Sequence, residues 1–303
     1  MNRKININIT FECNSNCIFC AANHEIMGQV GRLSLDDIDE IVSNLKLDNS
    51  DEIILSGGEP TMHPDFFDIL DILTKTNCKI SMLTNGRILS KTEFAKKLGN
   101  YKNIIKICVP IHGTEKTHNR VTRCEGSYIQ TIDGINNLRL FLPNVILELK
   151  FVICKSNYLE IEEIQNYIIK MRPQEVLMST LFQSEVANLN SQILKKEKLL
   201  EVINNAIDYL IDRKYKGDIF VYGIPLCMFD DEKLERILQS TVNGYYNQHE
   251  YEEYYFDYTR KEGTLIQDTT NLCSIHLCEL HGVCTTGDFE NFTMFKKEIC
   301  PFI

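Results

Sequence analysis

Residues 5–9 read Ile-Asn-Ile-Asn-Ile, and this alternation of apolar and polar side chains predicts a first strand with one apolar face. Short apolar runs recur at Glu52–Ser56, Cys78–Thr84, Ile104–Ile111, Val145–Cys154 and Glu175–Ser179. Between them the apolar positions take the helical period. Leu35, Ile38, Ile41, Val42 and Leu45 share one helix face, and Ser34-Leu35-Asp36-Asp37 supplies a capping box for it. A helix is expected after Pro60, another from about Tyr128 to Leu140 with Ile132, Ile135 and Leu138, and a third from about Tyr158 to Met171. Strand and helix alternating in units of about thirty residues indicate parallel βαβ construction. Six strands, each followed by a helix, predict an α/β fold, a partial (β/α)6 TIM-like barrel. Chemistry in such barrels sits at the C-terminal strand ends.

A long charged helix is expected over about Leu189–Lys214. The composition shifts after Gly217, and Tyr245–Tyr258 packs six tyrosines among Glu and Asp. That stretch is expected to be a solvated surface segment, with a substrate-facing lid as the competing reading. The division is therefore a barrel at 1–215 and a small cysteine-rich C-terminal extension at 216–303.

The chain has 303 residues, 44% of them hydrophobic, which is enough for a sizeable core. Its net charge of −10, from 32 Lys+Arg against 42 Asp+Glu, argues against nucleic acid as a partner. There is no polybasic run for a membrane surface and no apolar stretch near the ~18 residues of a span. Met1-Asn2-Arg3-Lys4 leads into the alternating strand, not into the apolar core of a signal peptide. A cytoplasmic location is expected. Twelve cysteines in such a compartment point to metal or redox chemistry rather than disulfides.

Directly after the first strand comes Cys13-x3-Cys17-x2-Cys20. Three thiolates hold three corners of a [4Fe–4S] cluster, leaving one iron open to a ligand. Zinc is the rival, and it would want a fourth ligand, for which His24 is the local candidate. The second strand runs into Gly57-Gly58-Glu59-Pro60, where paired glycines let backbone approach a ligand. The third ends at Leu83-Thr84-Asn85-Gly86, and later stretches read Val109-Pro110-Ile111-His112-Gly113, His118-Asn119 and Gly126-Ser127-Tyr128.

In these motifs, over roughly residues 4–180, the chain resembles the radical SAM enzymes. The resemblance implies a [4Fe–4S] cluster on Cys13, Cys17 and Cys20 whose open iron binds S-adenosylmethionine. It implies cofactor contacts from Gly57, Gly58, Glu59, Asn85 and Ser127. Family members often carry Ser where this chain has Pro110, which lacks a side-chain donor and an N–H, so the fourth strand is expected to meet the cofactor differently.

Cys227, Cys273, Cys278 and Cys284, with Cys300 as a spare, form a second group. It resembles the twitch and SPASM extensions of the same enzymes and implies an auxiliary [4Fe–4S] cluster. Zinc remains open there, with His276 and His281 nearby. Cys78 and Cys108 read as buried small hydrophobes. Cys124 and Cys154 are candidate hydrogen donors to a substrate radical, against a simpler packing role. His63 and His112 are expected to fix loop geometry.

The resemblance implies reductive cleavage of S-adenosylmethionine to a 5′-deoxyadenosyl radical, which takes hydrogen from a substrate C–H bond. Oxidative modification of a peptide is the first expectation. A small-molecule oxidoreductase or epimerase acting on a sugar, nucleoside or amino acid is the alternative, and a non-catalytic iron–sulfur or zinc scaffold the remote one. A reductant such as flavodoxin or ferredoxin is implied. With the first strand starting by residue 5, a peptide substrate is expected to need a separate recognition protein or the C-terminal region.

Overall fold

The computed structural model describes residues 3–20, 31–181, 187, 190–222, 224, 228–243, 251–257 and 262–268. Its centre is one sheet in the order β7-β6-β5-β4-β3-β2-β1-β8-β9. The strands are β1 (Lys4–Thr10), β2 (Glu52–Gly57), β3 (Lys79–Leu83), β4 (Ile104–Pro110), β5 (Ile146–Val152), β6 (Glu175–Ser179), β7 (Asp218–Tyr222), β8 (Tyr251–Asp257) and β9 (Glu262–Asp268). Strands β1 to β7 pair in parallel in sequence order. The helices are α1 (Leu35–Leu45), α2 (Phe66–Thr74), α3 (Thr92–Leu98), α4 (Glu115–Thr122), α5 (Ser127–Phe141), α6 (Ile161–Met171), α7 (Lys196–Asp212) and α8 (Asp231–Asn243). This is the expected mostly parallel α/β fold of a partial barrel.

Alternation along each strand sorts the side chains. Ile5, Ile7, Ile9, Ile53, Leu55, Ile80, Met82, Ile107, Val109, Leu147 and Leu149 join the core that the helices cover. At about 1.5–3 kcal/mol per buried aliphatic side chain, this face holds the layers together. The other face is polar. Lys106 bridges Glu148 (3.8 Å) and Glu175, Lys4 faces Glu52 at 3.9 Å, and the Ser81 hydroxyl donates to Glu52 at 2.5 Å. Ser56 donates to Asn8 at 2.7 Å. All these residues alternate with the apolar set, so they line the concave side.

Helix α1 keeps its capping box, with Ser34 accepting from the Asp37 N–H and Asp37 accepting from the Ser34 N–H. Three expectations change. The sheet runs past six strands: β7 extends it beyond residue 215. Tyr251–Asp257 forms a strand, β8, paired in parallel with β1 at Lys4–Ile7 and antiparallel with β9. Its tyrosines and acids lack a clear period, so alternation did not announce it. The long helix begins at Lys196, not at Leu189. The residues before it are used otherwise: the Asn190 side-chain amide donates to the Ile18 carbonyl and the Gln192 carbonyl accepts from the Lys155 N–H.

Candidate active site

The cysteine loop leaves the C-terminal end of β1 and is pinned from several sides. The Gly58 N–H donates to the Thr10 carbonyl (2.7 Å) and the Glu59 N–H to the Glu12 carbonyl (2.8 Å). The Asn16 and Ile18 N–H groups donate to the carbonyls of Thr122 and Val121 at the end of α4. Ile18 and Phe19 are buried and pack on Val121, Cys154 and Leu181, whereas Cys13, Cys17 and Cys20 stay partly exposed. Apolar anchors thus hold the loop down at the C-terminal end of β1.

A Cβ on Gly58 would lie 2.4 Å from the Phe11 carbonyl oxygen and 2.5 Å from that of Glu12. The cysteine loop itself therefore forbids a side chain here. Glu59 is fully buried and ties three motifs together. Its Oε1 accepts from the Thr61 hydroxyl (2.5 Å) and the Thr84 hydroxyl (2.6 Å), and its Oε2 from the Asn85 N–H (2.7 Å). Burial pushes its carboxyl above the ordinary range while these donors act to lower it.

Asn85 returns to the cysteine loop. Its Nδ2 donates to Asn14 Oδ1 (2.6 Å) and lies 3.9 Å from Cys13 Sγ. Arg87, which the sequence reading passed over, donates from Nη1 to the Asn14 carbonyl and to Ser15 Oγ (3.1 Å), and from Nε to Gln130 Oε1 (2.7 Å). Its place directly after Thr84-Asn85-Gly86 was visible, but its target some seventy positions earlier was not. Gly134 lets α5 come down on this turn, since a Cβ there would lie 2.1 Å from the Gly86 carbonyl oxygen.

Beyond the loop, rings follow one another. Phe19 meets His112 edge-on (5.3 Å), His112 stacks on His118 (5.3 Å), and His118 meets Tyr128 edge-on (5.7 Å). Burial pushes His112 well below its usual value and His118 down to about 4, so both are neutral at neutral pH. The His112 N–H donates to His118 Nδ1, and His112 Nδ1 is buried without a partner among the described residues. His63 holds the chain returning from the loop: its Nδ1 accepts from the Asp65 N–H, which leaves Nε2 to donate to the Leu33 carbonyl at 2.8 Å. Ser127 is fully buried, with its hydroxyl engaged by Thr122 (2.6 Å) and Asn119 (3.0 Å). Pro110 closes β4 opposite Lys150.

Cys154 is fully buried under Ile18 and Phe19, and burial pushes its thiol up to about 11. Cys124 is partly exposed, with its thiol near the Glu125 carbonyl. Cys78 and Cys108 are buried. His24, Cys227, Cys273, His276, Cys278, His281, Cys284 and Cys300 lie outside the described residues.

The donor chemistry suits a cluster. Burial pushes the Cys13 thiol up to about 11, and Glu59 and Cys20 push it the same way; Cys17 is raised too, by burial and by its two sister cysteines. Three thiolates that disfavour one another's charge need a positive partner. Among the described residues no three His, Cys, Asp or Glu side chains gather as ligands of one ion. A cube makes no such demand, because each thiolate takes its own iron.

The model of the Radical SAM superfamily matches residues 7–168, more than half of the chain. The chain belongs to that superfamily of enzymes, which implies a [4Fe–4S] cluster and S-adenosylmethionine. The Fe-coproporphyrin III synthase of Methanosarcina barkeri is 23% identical over 209 residues, which cover 69% of this chain and 51% of that protein. The mycofactocin maturase MftC of Mycobacterium ulcerans is 25% identical over 130 residues, 43% of this chain and 34% of the maturase. The chain thus spans about half or less of the length of these relatives. Among solved structures, anSMEcpe with bound AdoMet and a peptide superposes with a TM-score of 0.59 at 14% identity, covering 72% of this chain and 63% of that one. At that identity the likeness shows the fold. Among the described residues no helix is long and apolar enough to cross a membrane.

Proposed function

We propose that Cys13, Cys17 and Cys20 hold a [4Fe–4S] cluster and that the protein uses it to modify a peptide by radical chemistry. The supporting observation is the convergence of the cysteine loop, Gly57-Gly58-Glu59 and Thr84-Asn85-Gly86 at the C-terminal ends of β1, β2 and β3. When bound, the reduced cluster and S-adenosylmethionine supply a 5′-deoxyadenosyl radical that takes hydrogen from a C–H bond. The protein's own part is placement. Glu59 and Asn85 hold the loops in register, while Ile18 and Phe19 seal the floor. The neutral His112 offers a ring nitrogen beside Phe19. Gly57, Gly58, Glu59, Asn85 and Ser127 are the proposed surroundings of S-adenosylmethionine, with Ser127 acting through Asn119.

The peptide reading draws on the maturase relative and on the peptide-bound neighbour. A small-molecule substrate is the second reading, favoured by the Fe-coproporphyrin III synthase relative. An auxiliary cluster on Cys227, Cys273, Cys278 and Cys284, with Cys300 as a possible replacement ligand, belongs to the same proposal. So do a flavodoxin or ferredoxin reductant, a separate peptide-recognition protein and a cytoplasmic location.

The test is anaerobic reconstitution, reduction and measurement of 5′-deoxyadenosine. Formation supports the radical reading, and its absence from an iron-loaded, reduced protein rejects it. Adding a precursor peptide encoded beside this gene then decides the substrate class. Transfer of deuterium from labelled peptide into 5′-deoxyadenosine supports the peptide reading. Transfer only from a small molecule supports the second.

A further inference from the structure

We infer that Arg87 sets the reduction potential of the cluster on Cys13, Cys17 and Cys20 by fixing an uncompensated positive charge against their loop. The inference rests on the cluster assignment proposed above. Arg87 is half-buried, so its charge is screened less than that of a surface arginine. Its guanidinium grips the Asn14 carbonyl and Ser15 Oγ, both between Cys13 and Cys17. Gln130 on α5 holds its Nε from behind at 2.7 Å. The geometry is therefore fixed at both ends.

No carboxylate forms an ion pair with Arg87 among the described residues, whereas the sheet lysines Lys4 and Lys106 are paired, Lys4 with Glu52 and Lys106 with Glu148 and Glu175. Gln130 offers an oxygen without a charge. A bare structural clamp would not need a full charge, since a neutral donor can hold a carbonyl and a hydroxyl.

Three thiolates leave the oxidised cluster negative, and reduction makes it more so. Reduction adds one electron from an external donor, with no bond made or broken and no proton moved. A fixed cation beside the thiolates favours the form with the extra electron and raises the potential. Arg87 thereby eases the electron delivery that the proposed chemistry requires.

The test is a redox titration of the anaerobically reconstituted full chain, with dithionite as reductant. It reads the paramagnetic signal that S-adenosylmethionine perturbs, so that any auxiliary cluster is not counted. Arg87→Met should lower the reduced-to-oxidised ratio about tenfold at a fixed potential, which for a one-electron couple is about 59 mV. Arg87→Lys should recover most of that shift. Ser15→Asp keeps the arginine and sets a carboxylate beside it, so it should shift the ratio as Arg87→Met does. It also provides the measurement if Arg87→Met assembles no cluster. Unchanged potentials in Arg87→Met or Ser15→Asp with normal iron content would overturn the inference, as would Arg87→Lys lying as low as Arg87→Met. A parent protein that takes up no iron would instead overturn the cluster assignment.

Discussion

Glu59 Oε2 accepts the Asn85 backbone N–H at 2.7 Å, which joins the turn after β2 to the turn after β3. The same carboxylate takes the hydroxyls of Thr61 and Thr84. Buried charge of this kind is tolerated only when its acceptors are filled. Glu59→Gln turns one oxygen into a donor facing donors, so it should cost about 1–3 kcal/mol of stability. A urea denaturation series checks this, and an unchanged midpoint would show that the carboxylate does not bind these turns together.

Cys17→Ala should remain folded while losing iron from the first cluster and, with it, S-adenosylmethionine cleavage, because no other thiol lies on that loop between Cys13 and Cys20. Circular dichroism, iron content and 5′-deoxyadenosine yield give the three readings. Full product yield from this variant would refute the ligand assignment.

Gly58→Val should displace the cysteine loop. Its Cβ would intrude on the carbonyls of Phe11 and Glu12, which are backbone atoms and cannot rotate aside. The expected outcome is poor cluster assembly together with lowered stability, measured by iron content and thermal melting. A variant that loads iron normally and melts with the parent would contradict this account of the glycine.

Glu175 gives a pH dependence. Burial pushes its carboxyl up to about 7, and the nearby Glu148 adds to this while Lys106 opposes it. The folded protein thus keeps a proton that the unfolded chain releases near the ordinary carboxylate value. The stabilisation is full below that value and is lost as pH rises towards about 7, a fall of about 1–3 kcal/mol by linkage. Glu175→Gln stays uncharged, so its stability should be flat over this window and exceed the parent's at pH 8. Parallel pH–stability curves for the two proteins would rule this out.

If the C-terminal cysteines hold a second [4Fe–4S] cluster, the reconstituted chain should carry about eight irons by the four-iron count of each cluster. A variant lacking Cys13, Cys17 and Cys20 should keep about half of them and a brown colour. A colourless variant holding one zinc would replace the auxiliary cluster with a structural zinc site.

Much of this was legible in order along the chain. The alternation of Ile5, Ile7 and Ile9 and the helical period of Leu35, Ile38 and Ile41 are local consequences of burying one face, so six strands and their helices could be read directly. The cysteine spacing and the Gly-Gly-Glu turn were equally local. The polar alternate positions were visible too, but not that Lys106, Glu148 and Glu175 meet, because strand neighbours are chosen by the sheet. Strand β8 escaped for a related reason: what makes it a strand is its pairing with β1, some 240 residues earlier, and pairing leaves no period in the sequence.

The site divides the same way. Sequence alone determined which residue types are present and in what spacing: three thiols on one loop, paired glycines, an amide after a strand. Tertiary structure alone decided that Gly58 is constrained by the backbone of the cysteine loop and that Glu59 binds the Asn85 turn. It also turned Ser127 inward onto Asn119 and Thr122 and set the charge of Arg87 against Asn14 and Ser15. The physical reason is range. Propensity and periodicity act between near neighbours along the chain, whereas hydrogen bonds and charges act between atoms near in space, and only the folded sheet brings those residues together.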